Sequence, residues 1–304
     1  MTTPITIPAT GLKTYYLGVP GAMRAMRMVQ DAVTVPATRG EVAHTLISGG
    51  TAVTHRRNTR RSWQVAYPGC TPDTADLLVG FYTGVFGDGP FCFIDPAWRN
   101  ALNLQASTFG APLQSISGWS ASVSAQPLTF DTTVTAPVAT SGVMRWTGAT
   151  NTAQVGLGVW SGSVFTPDTV KAPPYLPQQV TALSVYARSV SGTPSVSLRG
   201  QAVGATGTVV STTTATATVS AAAWTLLTVT VPASLTASFV LPNLLCNTST
   251  SVLQFACPLV QYGKSPPDPW VVGLGVPRVV IPQGLAGQYT VMFARDHGLT
   301  LAEI

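Results

Sequence analysis

The sequence predicts a mostly β protein. It has a β-sandwich or barrel-like base domain with one short helix, and a second β-sandwich, a jelly roll, inserted into that base. Thr, Ser, Val, Ala and Gly dominate the 304 residues, and these residues suit short strands joined by tight turns. Turn residues recur every 8–12 residues or so in the middle of the chain, as in sandwiches and jelly rolls. Near the carboxyl terminus, the charge and strand pattern of the amino-terminal part return.

Composition divides the chain into three segments. Residues 1–112 hold most of the arginines, residues 113–271 are poor in charge, and residues 272–304 regain charge. The last segment is too short to bury a core alone. We therefore predict that residues 1–112 and 272–304 form one base domain, and that residues 113–271 form the jelly roll.

Strands and a helix are predicted in the base from local patterns. The alternation in SWQVAY places Trp63, Val65 and Tyr67 on one face of a strand. Thr71 can cap a helix that begins at Pro72, and Gly84 can end it. The other base strands are predicted over Met23–Val29, Glu41–Ile47 and Phe91–Ile94.

The middle segment is predicted to consist of short strands. In WTLLTVTVP, the residues Leu227, Val229 and Val231 share the more apolar face, which we expect to face the core. The clearest strands are predicted over Val196–Val203, Gly207–Val219, Trp224–Pro232 and Ser251–Gly263.

The number and position of the charged residues indicate which kinds of partner the protein has. Charged residues make up 9% of the chain, against about 25% in typical domains, which indicates that other subunits cover much of the surface. The net charge is +5, and much of the excess lies in HRRNTRR, from His55 to Arg61. We interpret this run as a turn or subunit contact. Direct nucleic-acid recognition is not expected, because no aromatic residues interleave with the arginines.

No cofactor, metal or membrane span is expected. The chain has three histidines and no CxxC pair, so a zinc site has few ligands to use. No secretory signal is visible and no run of about 18 apolar residues occurs. The four cysteines are Cys70, Cys92, Cys246 and Cys257. We expect the chain to be made in a reducing cytosol and these cysteines to be free thiols, with two disulfides as the alternative.

No enzyme is predicted, and no catalytic residue is assigned. Of the acids in the middle segment, Asp268 lies between prolines in a turn, which leaves Asp131 and Asp168. A glycosidase built on these two carboxylates is the enzymatic alternative. Motifs for a hydrolase nucleophile, a zinc protease or a phosphate-binding loop are missing from the sequence.

The segment GDGPFCFIDPAWRN, from Gly87 to Asn100, is interpreted as architecture. Asp95 can accept backbone N–H bonds in an Asx turn, and Arg99 can pair with Asp95 or with a neighbouring subunit. The candidate subunit-interface residues are Arg56, Arg57, Arg60, Arg61, Asp95 and Arg99.

Two aromatic residues are candidate carbohydrate contacts. Trp160 in GVWSGSVF and Tyr175 in PPYLP lie close to turns, where an exposed ring can stack on a sugar. Trp224 opens a strand opposite the more apolar face, and its burial stays open at this point.

The base segments resemble a known family. SWQVAY, TPDTADLLVGFYTG and GDGPFCFIDPAWRN together resemble the amino-terminal domain of minor tail proteins from long-tailed bacteriophages. The tail GVPRVVIPQG…GLTLAEI resembles the return of the chain to that domain. The middle resembles a carbohydrate-binding-module jelly roll, through SGWSAS, AAAWTLLTVTVPAS and PLVQYGKSPPDPWVVG.

The resemblance implies a distal-tail or other tail-tip component of the virion, made and assembled in the host bacterial cytoplasm. Such proteins form rings, typically hexamers, and contact the tail tube, the tape measure and the tail-tip hub. The jelly roll would project from the ring and touch the host surface. The alternative function is a module whose main task is to bind cell-wall glycans.

Overall fold

The computed structural model describes most of the chain. Within the described residues, no helix combines the length and apolar content that crossing a bilayer needs. The described ranges are 14–27, 33–34, 37–38, 41–45, 51–55, 60–95, 99–111, 113–162, 164–169, 171–234, 236–248, 251–282, 286–291 and 294–304.

The chain divides into two compact units. Unit 1 comprises Met1–Val19, Ala25–Phe93 and Pro277–Ile304, and unit 2 comprises Pro20–Arg24 and Ile94–Val276. Residues 94–112, which composition groups with the base, therefore lie in unit 2. Their polar groups explain this, because the Asn100 side chain donates to the carbonyls of Pro258 and Val271 at 3.1 and 2.9 Å.

Unit 1 is built around one large sheet. Its elements are β1 (Thr14–Gly18), β2 (Arg24–Arg27), β3 (Val33–Thr34), β4 (Ala37–Thr38), β5 (Glu41–Thr45), β6 (Thr51–His55), β7 (Arg60–Cys70), α1 (Pro72–Tyr82), β8 (Phe91–Ile94), β21 (Arg278–Val280), β22 (Ala286–Val291) and β23 (Ala294–Glu303). The described strands of the large sheet follow the order β2-β1-β8-β21-β23-β7-β3, with β22 beside β23 and β4 beside β7, and β5 pairs with β6 in a separate sheet.

Strands from both ends of the sequence share this sheet. In β7, Trp63, Val65 and Tyr67 are buried while Gln64 is exposed, which is the predicted alternation. The carboxyl-terminal strand β23 lies antiparallel to β7, with Leu301 opposite Trp63. The apolar faces of the two strands therefore contribute to one core.

Helix α1 follows its local sequence signals. It begins at Pro72 after Thr71, as predicted, although the Thr71 hydroxyl contacts the Thr74 hydroxyl at 3.1 Å instead of capping a backbone N–H. Phe81 is buried and meets Phe91 edge-on, with the ring centroids 5.1 Å apart. Gly84 follows the helix with a φ of +78°, a conformation that glycine adopts without strain.

Unit 2 is a jelly-roll sandwich of two five-stranded sheets among the described residues. The front sheet has the order β17-β16-β19-β12-β9, the back sheet has the order β10-β11-β20-β15-β18, and β13 pairs with β14 in a hairpin. The elements are α2 (Leu104–Ser107), β9 (Trp119–Ala121), β10 (Leu128–Phe130), β11 (Val143–Ala149), β12 (Gln154–Leu157), β13 (Val159–Ser161), β14 (Val164–Thr166), β15 (Thr181–Ser189), β16 (Ser195–Val203), β17 (Val209–Thr218), β18 (Thr225–Val231), β19 (Phe239–Cys246) and β20 (Ser251–Tyr262).

The core of unit 2 lies between these sheets. Leu227, Val229 and Val231 are buried on the inner face of β18, as predicted. Gly200 of the front sheet lies so close to the back sheet that an added Cβ would stand 2.4 Å from Val231 and 2.5 Å from Leu183. The four cysteines are free and buried. The mostly β fold class and the jelly roll are confirmed, whereas the short helix α2 is not predicted by the sequence.

Candidate functional site

The outer face of the front sheet carries a row of polar side chains. Arg199 of β16 lies opposite Asn243 of β19, and Asn243 lies opposite Gly156 of β12. Gln201 and Gln154 belong to the same face, because strand residues two apart point the same way. We call Gln154, Arg199, Gln201, Asn243 and the neighbouring Trp160 the polar face.

Asn243 orients both glutamines. It is 1% exposed, and its Nδ2 donates to Gln154 Oε1 at 2.6 Å and, over a longer contact of 3.5 Å, to Gln201 Oε1. The buried Oδ1 of Asn243 has no hydrogen-bond partner among the described residues. Since both glutamine oxygens point to Asn243, the glutamine N–H groups point away from it and can donate to a ligand.

Arg199 supplies the charge of this face. It is the only charged residue in the five described strands of the front sheet. The residue is half-buried, and its Nε is buried without a hydrogen-bond partner in the described part of the chain. A guanidinium in this position can donate to a planar, acceptor-rich group.

Trp160 lies beside these polar groups. It pairs with Phe165 across the β13–β14 hairpin, and the two rings meet at 4.8 Å with an angle of 63°. The Phe165 ring packs on Gly156, where an added Cβ would be 2.6 Å from the ring. The hairpin therefore lies on the outer face of the front sheet, and Trp160 is half-buried there. Trp160 is one of the two residues that the sequence predicts as sugar contacts.

Tyr175, the other predicted sugar contact, lies in the core. It is 2% exposed, and its hydroxyl donates to the carbonyl of Pro232 at 2.7 Å. Burial raises the pKa of this hydroxyl, with a smaller opposing effect from the Ser234 backbone. The ring presents no open face to a sugar, so Tyr175 is not included in the site.

The predicted interface arginines fall into different environments. Arg56 and Arg57 lie outside the described residues, as does the side chain of Arg60. The Arg61 guanidinium binds Glu303 through two contacts, Nε to Oε2 at 3.0 Å and Nη2 to Oε1 at 2.8 Å. Within unit 1 the guanidinium forms this ion pair, and its role in subunit contact stays a prediction.

Asp95 and Arg99 are the two remaining predicted interface residues, and their role in subunit contact stays a prediction. Asp95 is half-buried and Arg99 is exposed. The positive charge of Arg99 acts on Asp268, whose pKa is lowered mainly by hydrogen bonds from Lys264 and Gln261 and to a smaller extent by Arg99.

The two carboxylates of the glycosidase alternative are held by neighbours. Asp131 is 6% exposed and accepts from Gln254 Nε2 at 2.6 Å and from the Thr133 backbone at 2.9 Å. Burial would raise its pKa, but these hydrogen bonds and Arg145 outweigh burial and lower it. Asp168 forms an exposed ion pair with Lys171 at 3.4 Å.

Two further surface features occur in unit 2. On the outer face of the back sheet, Trp224, Tyr186 and Trp270 are half-buried around a small apolar cluster, and Arg188 lies 5.5 Å over the Trp224 ring. A shallow depression of about 250 Å³ lies along Ile116–Leu128, beside Trp119. The rings of the back-sheet cluster are half-buried like Trp160, but its cation Arg188 already contacts the Trp224 ring and the Ala221 carbonyl. None of the described residues that line the depression is charged.

Comparisons with solved structures give matches at low sequence identity. No protein family matches the sequence, and no curated protein matches it either. The C-terminal family 22 carbohydrate binding module of Clostridium thermocellum Xyn10B is 14% identical, with 53% of this chain and 94% of that chain covered and a TM-score of 0.40. The CBM22-1 xylan-binding domain of Paenibacillus barcinonensis Xyn10C is 15% identical, with 49% and 87% covered and a TM-score of 0.36.

A bacteriophage protein is also similar. The enzymatically active domain of bacteriophage CBA120 tailspike protein 4 is 11% identical, with 56% of this chain covered and a TM-score of 0.40. The match covers 22% of that tailspike chain. No residue role is transferred from these proteins to this chain.

Sequence reasoning missed most of the polar face. In VSLRGQAV, polar residues alternate with apolar ones, and this pattern could have marked Arg199 and Gln201 as neighbours on an outer face. Asn243 gives no such signal, because its strand FVLPNLLC is buried along its whole length.

Proposed function

We propose that the jelly roll binds a glycan through the polar face. The observation that carries this proposal is the arrangement around Asn243, which turns the N–H groups of two glutamines outward beside Arg199 and the half-buried Trp160 ring. Sugar sites combine an aromatic platform with a few placed polar groups. The polar groups fix the orientation of the ligand, and the ring supplies apolar contact area.

The experiment is a glycan microarray with purified protein and two matched tryptophan variants. We expect Trp160→Ala to reduce affinity at least tenfold, about 1.4 kcal/mol, because the ring stacks on the sugar. Trp224→Ala removes a half-buried tryptophan from the back sheet and should leave binding unchanged. Wild-type protein that binds no glycan, or equal losses in both variants, would refute the proposal.

We propose no catalysis at this site. Asp131 is engaged by Gln254 and Thr133, and Asp168 by Lys171. These contacts support structural roles for both carboxylates. Release of reducing sugar from bacterial cell walls, abolished by Asp168→Asn, would contradict this proposal.

We further propose that unit 1 assembles into a ring at the tip of a bacteriophage tail, with the jelly roll as the host-contacting part. The low charge of 9% supports assembly, because a surface with few charges is better covered by other subunits. Obligate assemblies of this kind bury more than about 2,000 Å² per interface. Sedimentation velocity and electron microscopy of the purified protein test this, and a monomer at all concentrations would contradict it.

A further inference from the structure

We infer that the ligand of the polar face is an acidic glycan, a polysaccharide that carries carboxylate or phosphate groups. This inference rests on the proposed glycan-binding function and adds the chemical class of the ligand. Two independent features of the polar face support it: the charge state of Arg199 and the balance of hydrogen-bond donors and acceptors.

Arg199 lacks the counter-ion that Arg145 and Lys264 of unit 2 have. Among the described residues, no aromatic ring or carbonyl takes its place, as the Trp224 ring and the Ala221 carbonyl do for Arg188. Within the described residues, Arg145 pairs with Asp131 at 3.7 Å and Lys264 pairs with Asp268 at 2.7 Å. Arg199 forms no ion pair there, and the front sheet offers no carboxylate. A half-buried guanidinium has lost part of its hydration, so an anionic ligand group compensates for that loss best.

The groups that this face presents to solvent are hydrogen-bond donors, because its unpaired acceptor, Asn243 Oδ1, is buried. Asn243 donates to the Oε1 atoms of Gln154 and Gln201, so both glutamine amides are oriented with their N–H groups away from Asn243 and towards a ligand. A neutral hydroxyl can donate as well as accept, whereas an ionised carboxylate or phosphate diester only accepts. The donor-rich face therefore matches an anion.

Affinity gel electrophoresis with defined polysaccharides tests the inference. The first pair of probes is polygalacturonate and its methyl-esterified form, which share a backbone and differ in negative charge. Poly(glycerol phosphate) teichoic acid is the phosphate probe, and xylan is a neutral one. We expect at least tenfold tighter binding to polygalacturonate or to the teichoic acid than to the neutral polymers, weakening as sodium chloride rises from about 50 to about 300 mM.

Two arginine variants separate a specific site from general charge. Arg199→Gln should abolish the preference for the acidic polymer, while Arg99→Gln removes the same charge from an exposed position of unit 2 and should keep it. Thermal unfolding of both variants checks that they are folded. Binding to one acidic probe alone supports the inference and identifies carboxylate or phosphate as the source.

The outcomes distinguish this inference from the proposed function. Equal affinity for charged and esterified polymers, or equal effects of Arg199→Gln and Arg99→Gln, overturns the acidic ligand and leaves glycan binding in place. Binding to no polymer of the panel and no glycan of the microarray overturns both.

Discussion

Replacing Asp131 by alanine removes a buried acceptor from the back sheet of the jelly roll. Its carboxylate accepts from Gln254 Nε2 at 2.6 Å, from the Thr133 hydroxyl at 2.6 Å and from the Thr133 backbone at 2.9 Å. Gln254 is 2% exposed, so its N–H group loses its partner without gaining water. We therefore expect Asp131→Ala to destabilise unit 2.

The magnitude follows from these contacts. Leaving a buried donor unsatisfied costs about 1–3 kcal/mol, and losing hydrogen bonds to a charged group adds to this. The Arg145 contact contributes little, because it is 3.7 Å long and the arginine side chain is 35% exposed. A total of about 3 kcal/mol corresponds to a fall in Tm of roughly 6–12 °C for a domain of this size.

Differential scanning calorimetry at pH 7 measures the effect, with Asp168→Ala as the control. Asp168 pairs with Lys171 at the surface, where the side chains are 38% and 50% exposed, so the control should change stability by less than about 0.5 kcal/mol. Similar Tm values for both variants would refute the assignment of Asp131 as a structural residue.

The pH dependence gives a second test of the same residue. Because the pKa of Asp131 is lowered in the folded protein, its stabilising contribution is present above the unfolded pKa of about 3.9 and is lost as the pH falls through the folded pKa. The stability difference between wild type and Asp131→Asn should be complete at pH 7 and shrink below about pH 4. A difference that stays constant down to about pH 3 would contradict the lowered pKa.

Three further predictions concern packing, the unit 1 ion pair and the thiols. Gly200→Ala should cost about 1–3 kcal/mol, because the added methyl group meets Val231, whereas Gly298→Ala, with nothing within 4 Å, should be neutral in thermal unfolding. Arg61→Lys should destabilise unit 1 by about 1 kcal/mol in urea titrations, because lysine cannot form both contacts with Glu303, and an unchanged midpoint would argue against the pair. A thiol reagent at pH 8 should react slowly with the native protein and fully after denaturation, and fast native reaction would contradict burial of all four cysteines, Cys70, Cys92, Cys246 and Cys257.

The sequence predicts those helices and strands that carry a strong local pattern. The start of α1 at Pro72 and the alternation in β7 are both legible in the sequence, because capping residues and period-2 patterns are local. Helix α2 has four residues, too few to show a helical period. The boundary between the units at residue 93 depends on hydrogen bonds that join Asn100 to residues more than 150 positions away, which no local pattern reveals.

The candidate site was predicted only in part for a similar reason. An aromatic residue near a turn is a visible candidate, and Trp160 lies at the polar face while Tyr175 is buried. This difference depends on tertiary packing, since Tyr175 is held by the carbonyl of Pro232, 57 positions away in the sequence. The roles of Gln154 and Gln201 arise only from their shared contact with Asn243, across three strands.

Nuclear magnetic resonance of the protein with its tightest-binding polysaccharide tests glycan binding at the polar face most directly. The side-chain amide signals of Gln154 and Gln201 and the indole signal of Trp160 should shift on titration, while the Trp224 and Trp270 indole signals stay in place. Shifts confined to Trp224 and Trp270, on the outer face of the back sheet, would contradict the account.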